Sequence, residues 1–190
     1  MPASDLVTGA DGRPRCSWGA STPEYERYHD EEWGRPVRDS GALYEKLCLE
    51  AFQSGLSWLT ILRKREHFRD AFAGFEIAAV ARFDSDDVER LMHDPGIVRN
   101  RAKIEATIAN ARAAAAVDDL SALIWSHAPE PAARPAPRSL ADVPSRTPES
   151  TALAKELKRH GFRFVGPTTA YALMQACGLV NDHLEGCHAR

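Results

Sequence analysis

The sequence predicts an all-α fold, and three patterns support that prediction. Apolar residues recur at three- and four-residue spacing through most of the chain, which is typical of helices that bury one face. No segment shows the sustained apolar and polar alternation that indicates a sheet. Capping residues and prolines precede several of the apolar segments, and glycines follow several of them.

The helices are predicted from these patterns in chain order. Asp39 or Ser40 caps the first, and Ser57 caps the second. Thr147 followed by Pro148 is typical of a helix start, because proline is tolerated in the first turn. Together the signals predict helices over 40–53, 58–72, 84–93, 99–117, 120–126, 148–160 and 167–177.

Composition divides the chain into four parts. Residues 1–14 are expected to form a disordered leader, because they hold no apolar pattern. Residues 39–127 form a central helical domain, and 128–147 form a proline-rich surface connector. The two end segments, 15–38 and 148–190, are predicted to form one region.

Composition also limits the classes of function. The chain has no apolar run long enough to span a membrane and no secretory signal, so we expect a cytoplasmic protein. Cys48 and Cys177 lie in apolar runs and are interpreted as core residues, which argues against a disulfide framework. The formal net charge of −3 requires that any nucleic-acid contact come from local basic clusters. Three such clusters, which solvated helix faces also explain, are Arg63–Arg65, Arg99–Lys103 and Lys158–His160 with Arg163.

Two cysteines and two histidines lie near opposite ends of the chain: Cys16, His29, His183 and Cys187. The last pair has i, i+4 spacing, which a helical turn would place on one face. Two sulfurs and two imidazoles are a tetrahedral zinc set, and one ion would join both ends of the fold. Buried core side chains without a metal are the alternative, and His188 is a substitute ligand.

Glu50 lies within about 20° of Leu43 on a helical wheel, and it therefore borders the apolar face of its helix. Trp58 follows after a break at Gly55. A partly buried carboxylate beside an indole predicts a pocket for a flat or cationic ligand. A half-exposed glutamate bonded to a backbone amide is the alternative.

Aromatic residues are dense near His29. The four are Trp18, Tyr25, Tyr28 and Trp33. They could stack on a nucleobase, or they could fill the core of a small subdomain.

A short turn with glycines at both ends joins the last two predicted helices. Gly166 precedes a helix start and lets backbone N–H groups approach an anion such as a phosphate. Thr168 and Thr169 add hydroxyl donors. An ordinary turn between two helices is the alternative.

Six segments together resemble the bacterial DNA-3-methyladenine glycosylase I family of the helix-hairpin-helix glycosylase superfamily. They are RCSW (15–18), YHDEEWG (28–34), LCLEAFQSGLSW (47–58), IVRNRAKI (97–104), GFRFVG (161–166) and MQACGLVNDHLEGC (174–187). The resemblance covers Arg15 to Cys187. It implies the helix-hairpin-helix glycosylase architecture, with a zinc-binding subdomain that joins the N- and C-termini.

The resemblance also implies a role for particular residues. Glu50 is the catalytic, base-recognising carboxylate, and Tyr28 and Trp58 stack on the base, with Trp18, Tyr25 and Trp33 around them. The family's structural zinc ligands correspond to Cys16, His29, His183 and Cys187. Two segments are expected to contact DNA: the probe loop (53–56), with Gln53, Gly55 and Leu56, and the hairpin (162–168), with Arg163, Phe164, Gly166 and Thr168.

The implied activity is a monofunctional glycosylase. A monomer would flip N3-methyladenine out of alkylated double-stranded DNA and hydrolyse the N-glycosidic bond, which leaves an abasic site. Asp182 adjoins a proposed zinc ligand, and we interpret it as structural. Ala51-Phe52 departs from the family pattern after the glutamate; Phe52 is expected to repack the core, and it could alter the pocket.

Three alternatives stay open at this point. A non-catalytic zinc-stapled DNA-binding module would keep the metal and the hairpin but would need no buried carboxylate. A zinc hydrolase would need an open coordination position on the metal. A related glycosylase with a different lesion preference is the alternative that the sequence distinguishes least.

Overall fold

The computed structural model describes residues 5–131 and 134–190, and its architecture is mostly helical. The helices are α1 (Pro23–Glu31), α2 (Ser40–Gln53), α3 (Trp58–Ala71), α4 (Ile77–Val80), α5 (Ser85–Met92), α6 (Arg101–Ala115), α7 (Leu120–Trp125), α8 (Pro148–Arg159) and α9 (Pro167–Ala176). Short 3-10 turns span Ser17–Ala20, Ala73–Phe75 and Leu140–Asp142. The all-α prediction is confirmed, with one small two-stranded sheet added.

The predicted helix starts carry the expected caps. The Asp39 side chain accepts a hydrogen bond from the Ala42 amide at the start of α2. Thr147 and Ser150 form a reciprocal capping box at the start of α8, where Pro148 occupies the first turn. These bonds satisfy amide groups that have no partner inside the helix, so the local sequence determines where each helix begins.

Two helices were absent from the sequence prediction. Helix α1 begins at Pro23, after a Thr22 cap, and it holds Tyr25, Tyr28 and His29. Its aromatic side chains were interpreted as ligand contacts, and the same spacing also gives the helix one inward face. Helix α4 has four residues, too few to show a periodic pattern.

The prediction of a disordered leader is wrong for the described part of that segment. Strands β1 (Leu6–Thr8) and β2 (Pro14–Cys16) form an antiparallel hairpin. The buried Arg15 guanidinium holds it in place through bidentate bonds to Asp11 and to Asp30 of α1. Residues 1–4 lie outside the described part of the chain.

In its described residues, the connector runs along the C-terminal segment without α-helix. The Pro137 carbonyl accepts a bond from the Glu185 amide, and the Leu140 amide donates to Asp5. Residues 132–133 of this connector lie outside the described part. Proline content explains the lack of an α-helix here.

One hydrophobic core runs through the central helices and the C-terminal pair. Helix α2 lies in the middle, packed against α3, α6 and α9. Phe52 is fully buried and contacts the rings of Phe68 and Phe72, so it repacks the core as predicted. A second, smaller cluster surrounds Cys16 and Cys187. No helix in the described ranges is long and apolar enough to cross a membrane.

Candidate active site

A cavity of about 230 Å³ lies where α1, α2, α3 and α9 meet. Its lining residues are Trp18, Tyr25, Tyr28, Trp33, Glu50, Gln53, Trp58, Ala172 and Gln175. The volume is below that of a pocket for a drug-sized ligand, which favours a single small ring system. The cavity therefore brings together Glu50 and the aromatic residues that the sequence analysis singled out.

Glu50 lies in the last turns of α2 and is only 6% exposed. Its carboxylate forms no hydrogen bond or ion pair with any described residue, although it lines the cavity. Burial raises the pKa of this carboxyl to about 8, and Lys46 partly opposes the shift. A buried acid without a partner costs free energy of folding, so it is expected where a ligand supplies the partner.

Tyr28 and Trp58 form an aromatic wall beside Glu50. Their ring centroids are 5.4 Å apart, and the planes are tilted by 42°. The Trp58 Nε1–H is buried and has no hydrogen-bond partner, and the Tyr28 hydroxyl also has none among the described residues. Burial raises the pKa of the Tyr28 phenol well above 10, so the hydroxyl keeps its proton. The wall therefore offers aromatic faces together with unused donors.

The other aromatic residues contact the wall or its supports. Trp18 packs edge-on against Tyr25 and Trp33, with centroids 5.7 and 4.9 Å away. The Tyr25 hydroxyl accepts a bond from the Leu59 amide and so joins α1 to the first turn of α3. Each of these rings lines the cavity, and each also holds a neighbouring element in position.

Gln175 and Ala172 of α9 complete the cavity, and the sequence analysis did not select them. Gln175 is a polar residue inside the apolar run YALMQACGLV, and that contrast was the available signal. Its amide donates to Asp182, 2.9 Å away. Asp182 also accepts bonds from Tyr171 and Arg134 and is 4% exposed. These bonds occupy the Asp182 carboxylate, in agreement with the structural role proposed for it.

The four predicted metal ligands form one buried cluster, and their donor atoms all lie within 4.8 Å of one another. The two facing histidine nitrogens are 3.2 Å apart. Three of the four sulfur–nitrogen distances are 3.5, 3.7 and 4.0 Å. Ligands about 2.0–2.3 Å from one tetrahedral ion would be separated by roughly 3.3–3.8 Å. The cluster can therefore hold a metal ion.

The outer hydrogen bonds fix which imidazole nitrogens face the cluster. His29 Nδ1 is 2.8 Å from a carboxylate oxygen of Asp30, which can only accept, so this nitrogen carries the proton. His183 Nε2 donates in the same way to the Trp33 carbonyl, 3.0 Å away. Two lone pairs thus face each other 3.2 Å apart, an arrangement that a bound cation stabilises. His188 bonds to Asp30 instead of joining the cluster.

The probe loop and the hairpin expose apolar side chains. Leu56 is 41% exposed and Phe164 is 43% exposed. Gly55 has a φ of 82°, so this turn needs the left-handed region that glycine adopts without strain. Phe164 also has a positive φ, of 55°, which is uncommon for a bulky residue. Arg163 and Thr168 are exposed as well, and a Cβ at Gly166 would meet open space.

The three basic clusters differ in how much of their charge is neutralised. Arg63 and Arg65 pair with glutamates on α1 and in the turn after it. Within the described ranges, the side chains of Lys158 and Arg163 form no ion pair. Lys158 lines two cavities, of about 440 and 280 Å³, and the smaller is also lined by the hairpin. Lys158 and Arg163 therefore leave free positive charge beside the hairpin.

The chain is similar to known proteins that share one description. The family model described as methyladenine glycosylase matches residues 18–190. DNA-3-methyladenine glycosylase 1 of Escherichia coli (strain K12) is 46% identical over 177 residues, which cover 91% of this chain and 95% of that protein. The DNA-3-methyladenine glycosylase of Haemophilus influenzae is 45% identical over 178 residues, which cover 91% and 96%.

Solved structures agree with the sequence relatives. A crystal structure of a 3-methyladenine DNA glycosylase I superposes with a TM-score of 0.86 at 47% identity and covers 92% of this chain and 98% of that one. A Staphylococcus aureus structure concerned with 3-methyladenine recognition superposes with a TM-score of 0.85 at 37% identity. That match covers 92% of this chain and 95% of the other.

Proposed function

The chain belongs to the methyladenine glycosylase family and is a DNA glycosylase for 3-methyladenine, and we propose that Glu50 recognises the methylated base. The observation that supports this role is the unpartnered Glu50 carboxylate in a cavity with an aromatic wall. The edge of the purine carries amino N–H groups that can donate hydrogen bonds to a carboxylate. Among the described residues, no other carboxylate lines this cavity.

The charge of the damaged base explains the choice of side chains. N3-methylated adenine is cationic while it is attached to the sugar, and it leaves as a neutral base. Tyr28 and Trp58 offer π faces that attract the cation. A cation next to Glu50 favours the carboxylate and lowers its pKa from the raised value, so substrate binding itself ionises the acid.

The reaction is a hydrolysis. The bond between the purine nitrogen and the sugar C1′ breaks, and its electron pair stays on the purine nitrogen, which neutralises the base. A water oxygen then bonds to C1′, and the water releases a proton, leaving an abasic site. The cationic base is a good leaving group, so less catalytic assistance is needed than for an unmodified purine. We propose that no lysine forms a covalent intermediate with the sugar, so the enzyme is monofunctional.

The base must leave the duplex to reach this cavity. Extrusion costs a few kcal/mol and is easiest for a damaged pair. We propose that the probe loop, with Gln53, Gly55 and Leu56, enters the gap. The hairpin, with Arg163, Phe164, Gly166 and Thr168, then holds the backbone of double-stranded DNA. The predictions that the enzyme is monomeric and cytoplasmic stay predictions.

We propose that the metal held by Cys16, His29, His183 and Cys187 is Zn²⁺ and that its role is structural. Two thiolates and two imidazoles at tetrahedral spacing are a typical zinc set. Four protein ligands leave no open position for a water molecule, which argues against a zinc hydrolase. When bound, the ion joins the N-terminal hairpin and α1 to the C-terminal segment.

The direct test is an excision assay on alkylated duplex DNA, with identification of each purine that appears in solution. We expect free 3-methyladenine to be released and the DNA to contain abasic sites. Tight binding to the DNA without release of any base would instead support the non-catalytic module. Release of a different purine in place of 3-methyladenine would support a related glycosylase with another lesion preference.

A further inference from the structure

Two polar residues of α6, Lys103 and Asn110, reach two different loops of the proposed DNA-contacting surface. Lys103 is 7% exposed, and Asn110 is fully buried. Neither side chain lines the base cavity. From their contacts we propose that α6 is a common anchor that positions both the probe loop and the hairpin, an inference that rests on the proposed function.

Lys103 anchors the probe loop through backbone carbonyls. Its ammonium group donates to the Phe52 carbonyl, 2.9 Å away, and to the Ser54 carbonyl, 2.6 Å away. These carbonyls lie at the C-terminal end of α2, where the helix leaves its last carbonyls without partners. A cation is favourable at that end of a helix dipole. Lys103 thus fixes the direction in which the chain leaves α2 toward Leu56.

Asn110 anchors the hairpin with both ends of its side-chain amide. Its Oδ1 accepts a bond from the Arg163 amide, 2.7 Å away, and its Nδ2 donates to the Arg163 carbonyl, 3.2 Å away. This reciprocal pair fixes the peptide groups on both sides of Arg163. The next residue, Phe164, has the positive φ of 55° that turns the hairpin outward. Surrounding contacts must hold such a conformation, because it is unfavourable for a bulky side chain.

The spacing of the two anchors is set by the helix. Lys103 and Asn110 are seven residues apart, so they share one face and lie about 10 Å apart along the axis. The two anchored loops are neighbours in space, since Ser54 and Phe164 line the same cavity of about 280 Å³. A rigid element thus sets the separation between the segment that would enter the gap and the segment that would hold the backbone.

The test compares Lys103→Met and Asn110→Leu with a matched control, Thr107→Val. Thr107 lies between the anchors on the same face and is 1% exposed, but its hydroxyl donates to the Lys103 carbonyl within α6 and to neither loop. Two affinities are measured at one salt concentration for each folded variant. One is for free 3-methyladenine, and the other is for a duplex that holds a stable abasic-site analogue.

We expect Lys103→Met and Asn110→Leu to bind the duplex roughly tenfold more weakly than Thr107→Val, because each leaves buried backbone groups unpaired in a DNA-contacting loop. Their affinity for the free base should stay within about twofold of the control. The KM from multiple-turnover excision should rise by a larger factor than the factor by which the single-turnover rate falls. Equal losses of base and DNA affinity, or an unchanged DNA affinity, would overturn the proposal.

Conservative variants keep the test decisive if a larger change prevents folding. Lys103→Arg retains a charged donor, and Asn110→Asp retains the acceptor for the Arg163 amide. Both should bind the duplex severalfold more weakly than Thr107→Val, with free-base affinity preserved, because the guanidinium is bulkier than the ammonium and the aspartate lacks the donor for the Arg163 carbonyl. An unchanged DNA affinity in both would again overturn the anchor role. Failure of the proposed function is a separate result, because the wild-type enzyme would then release no 3-methyladenine.

Discussion

The cluster of four predicted metal ligands and the base cavity lie side by side, and they differ in how their polar groups are satisfied. In the cluster, each histidine proton has an acceptor outside it, and the four donor atoms converge on one point. In the cavity, Glu50 and the Trp58 Nε1–H have no partner among the described residues. The cluster is therefore closed, with its polar groups satisfied, whereas the cavity is open to a ligand.

Trp33 connects the two regions. Its carbonyl accepts the His183 proton, and its ring packs edge-on against the His183 ring, 4.7 Å between centroids. The same ring lines the cavity. The contacts that fix His183 therefore also fix Trp33, which lines the cavity. The closed cluster thus supports the open cavity.

The largest expected effect comes from removing one ligand of the closed cluster. Replacing one ligand, Cys187→Ala, should abolish stoichiometric metal binding and destabilise the protein by several kcal/mol, which would lower Tm by about 10 °C or more. Chelation of the metal should act in the same direction. Metal content and thermal unfolding measure both changes.

Cys177→Ala is the matched control for that prediction. Cys177 is also buried but lies in the main core, away from the cluster. Its loss should leave the metal content unchanged and cost less stability. Equal Tm values for Cys187→Ala and the wild type would show that the cluster does not stabilise the fold.

A smaller effect is expected from removing the unpartnered acid in the open region. Between about pH 4.5 and 8, Glu50 is ionised in the unfolded chain but still protonated in the folded one, because burial raises its pKa to about 8. The folded state therefore binds more protons, and stability falls as pH rises through this window. Glu50→Gln does not titrate, so it should be more stable than the wild type by a few kcal/mol at pH 8.

That difference should shrink toward zero near pH 5, where the folded and unfolded wild-type chains both begin to hold the proton. Denaturant unfolding at pH 5 and at pH 8 gives the comparison. Titration of the metal ligands is common to the two proteins and cancels in the difference. A gap that stays constant with pH would contradict a raised pKa for Glu50.

The smallest effect comes from a pair of matched tyrosine variants. Tyr28→Phe removes a hydroxyl that has no partner among the described residues, whereas Tyr44→Phe removes one that donates to the Thr107 carbonyl, 2.9 Å away. Tyr44→Phe should lower stability by about 1 kcal/mol and leave base affinity unchanged. Tyr28→Phe should leave stability nearly unchanged and weaken 3-methyladenine binding severalfold. Unfolding and base titration of both variants would detect a reversal of this pattern.

The sequence was sufficient to predict the parts that depend on local patterns. The caps at Asp39 and Thr147 determined helix starts, and helical periodicity placed Glu50 at the border of the apolar face. Periodicity also predicted that Phe52 packs inward. Each of these outcomes follows from residues a few positions apart, which is the range that a helix makes regular.

The rest depends on contacts between distant residues. Lys103 was assigned to a cluster that a solvated helix face also explains, yet it is buried because carbonyls about 50 residues earlier accept its hydrogen bonds. Gln175 enters the cavity only because α9 packs on α2. The N-terminal hairpin has three-residue strands, too short for a periodic signal, and it depends on the pairing of Arg15 with Asp30.

The most direct test is the single-turnover rate of 3-methyladenine excision by Glu50→Gln, measured beside Glu45→Gln as a control on the same helix. Glu45 pairs with Arg69 away from the cavity. We predict that Glu50→Gln still binds the damaged duplex but excises the base roughly 10- to 100-fold more slowly, because a charged hydrogen bond is lost. Glu45→Gln should excise at the wild-type rate. An undiminished rate for Glu50→Gln would contradict the assignment of Glu50.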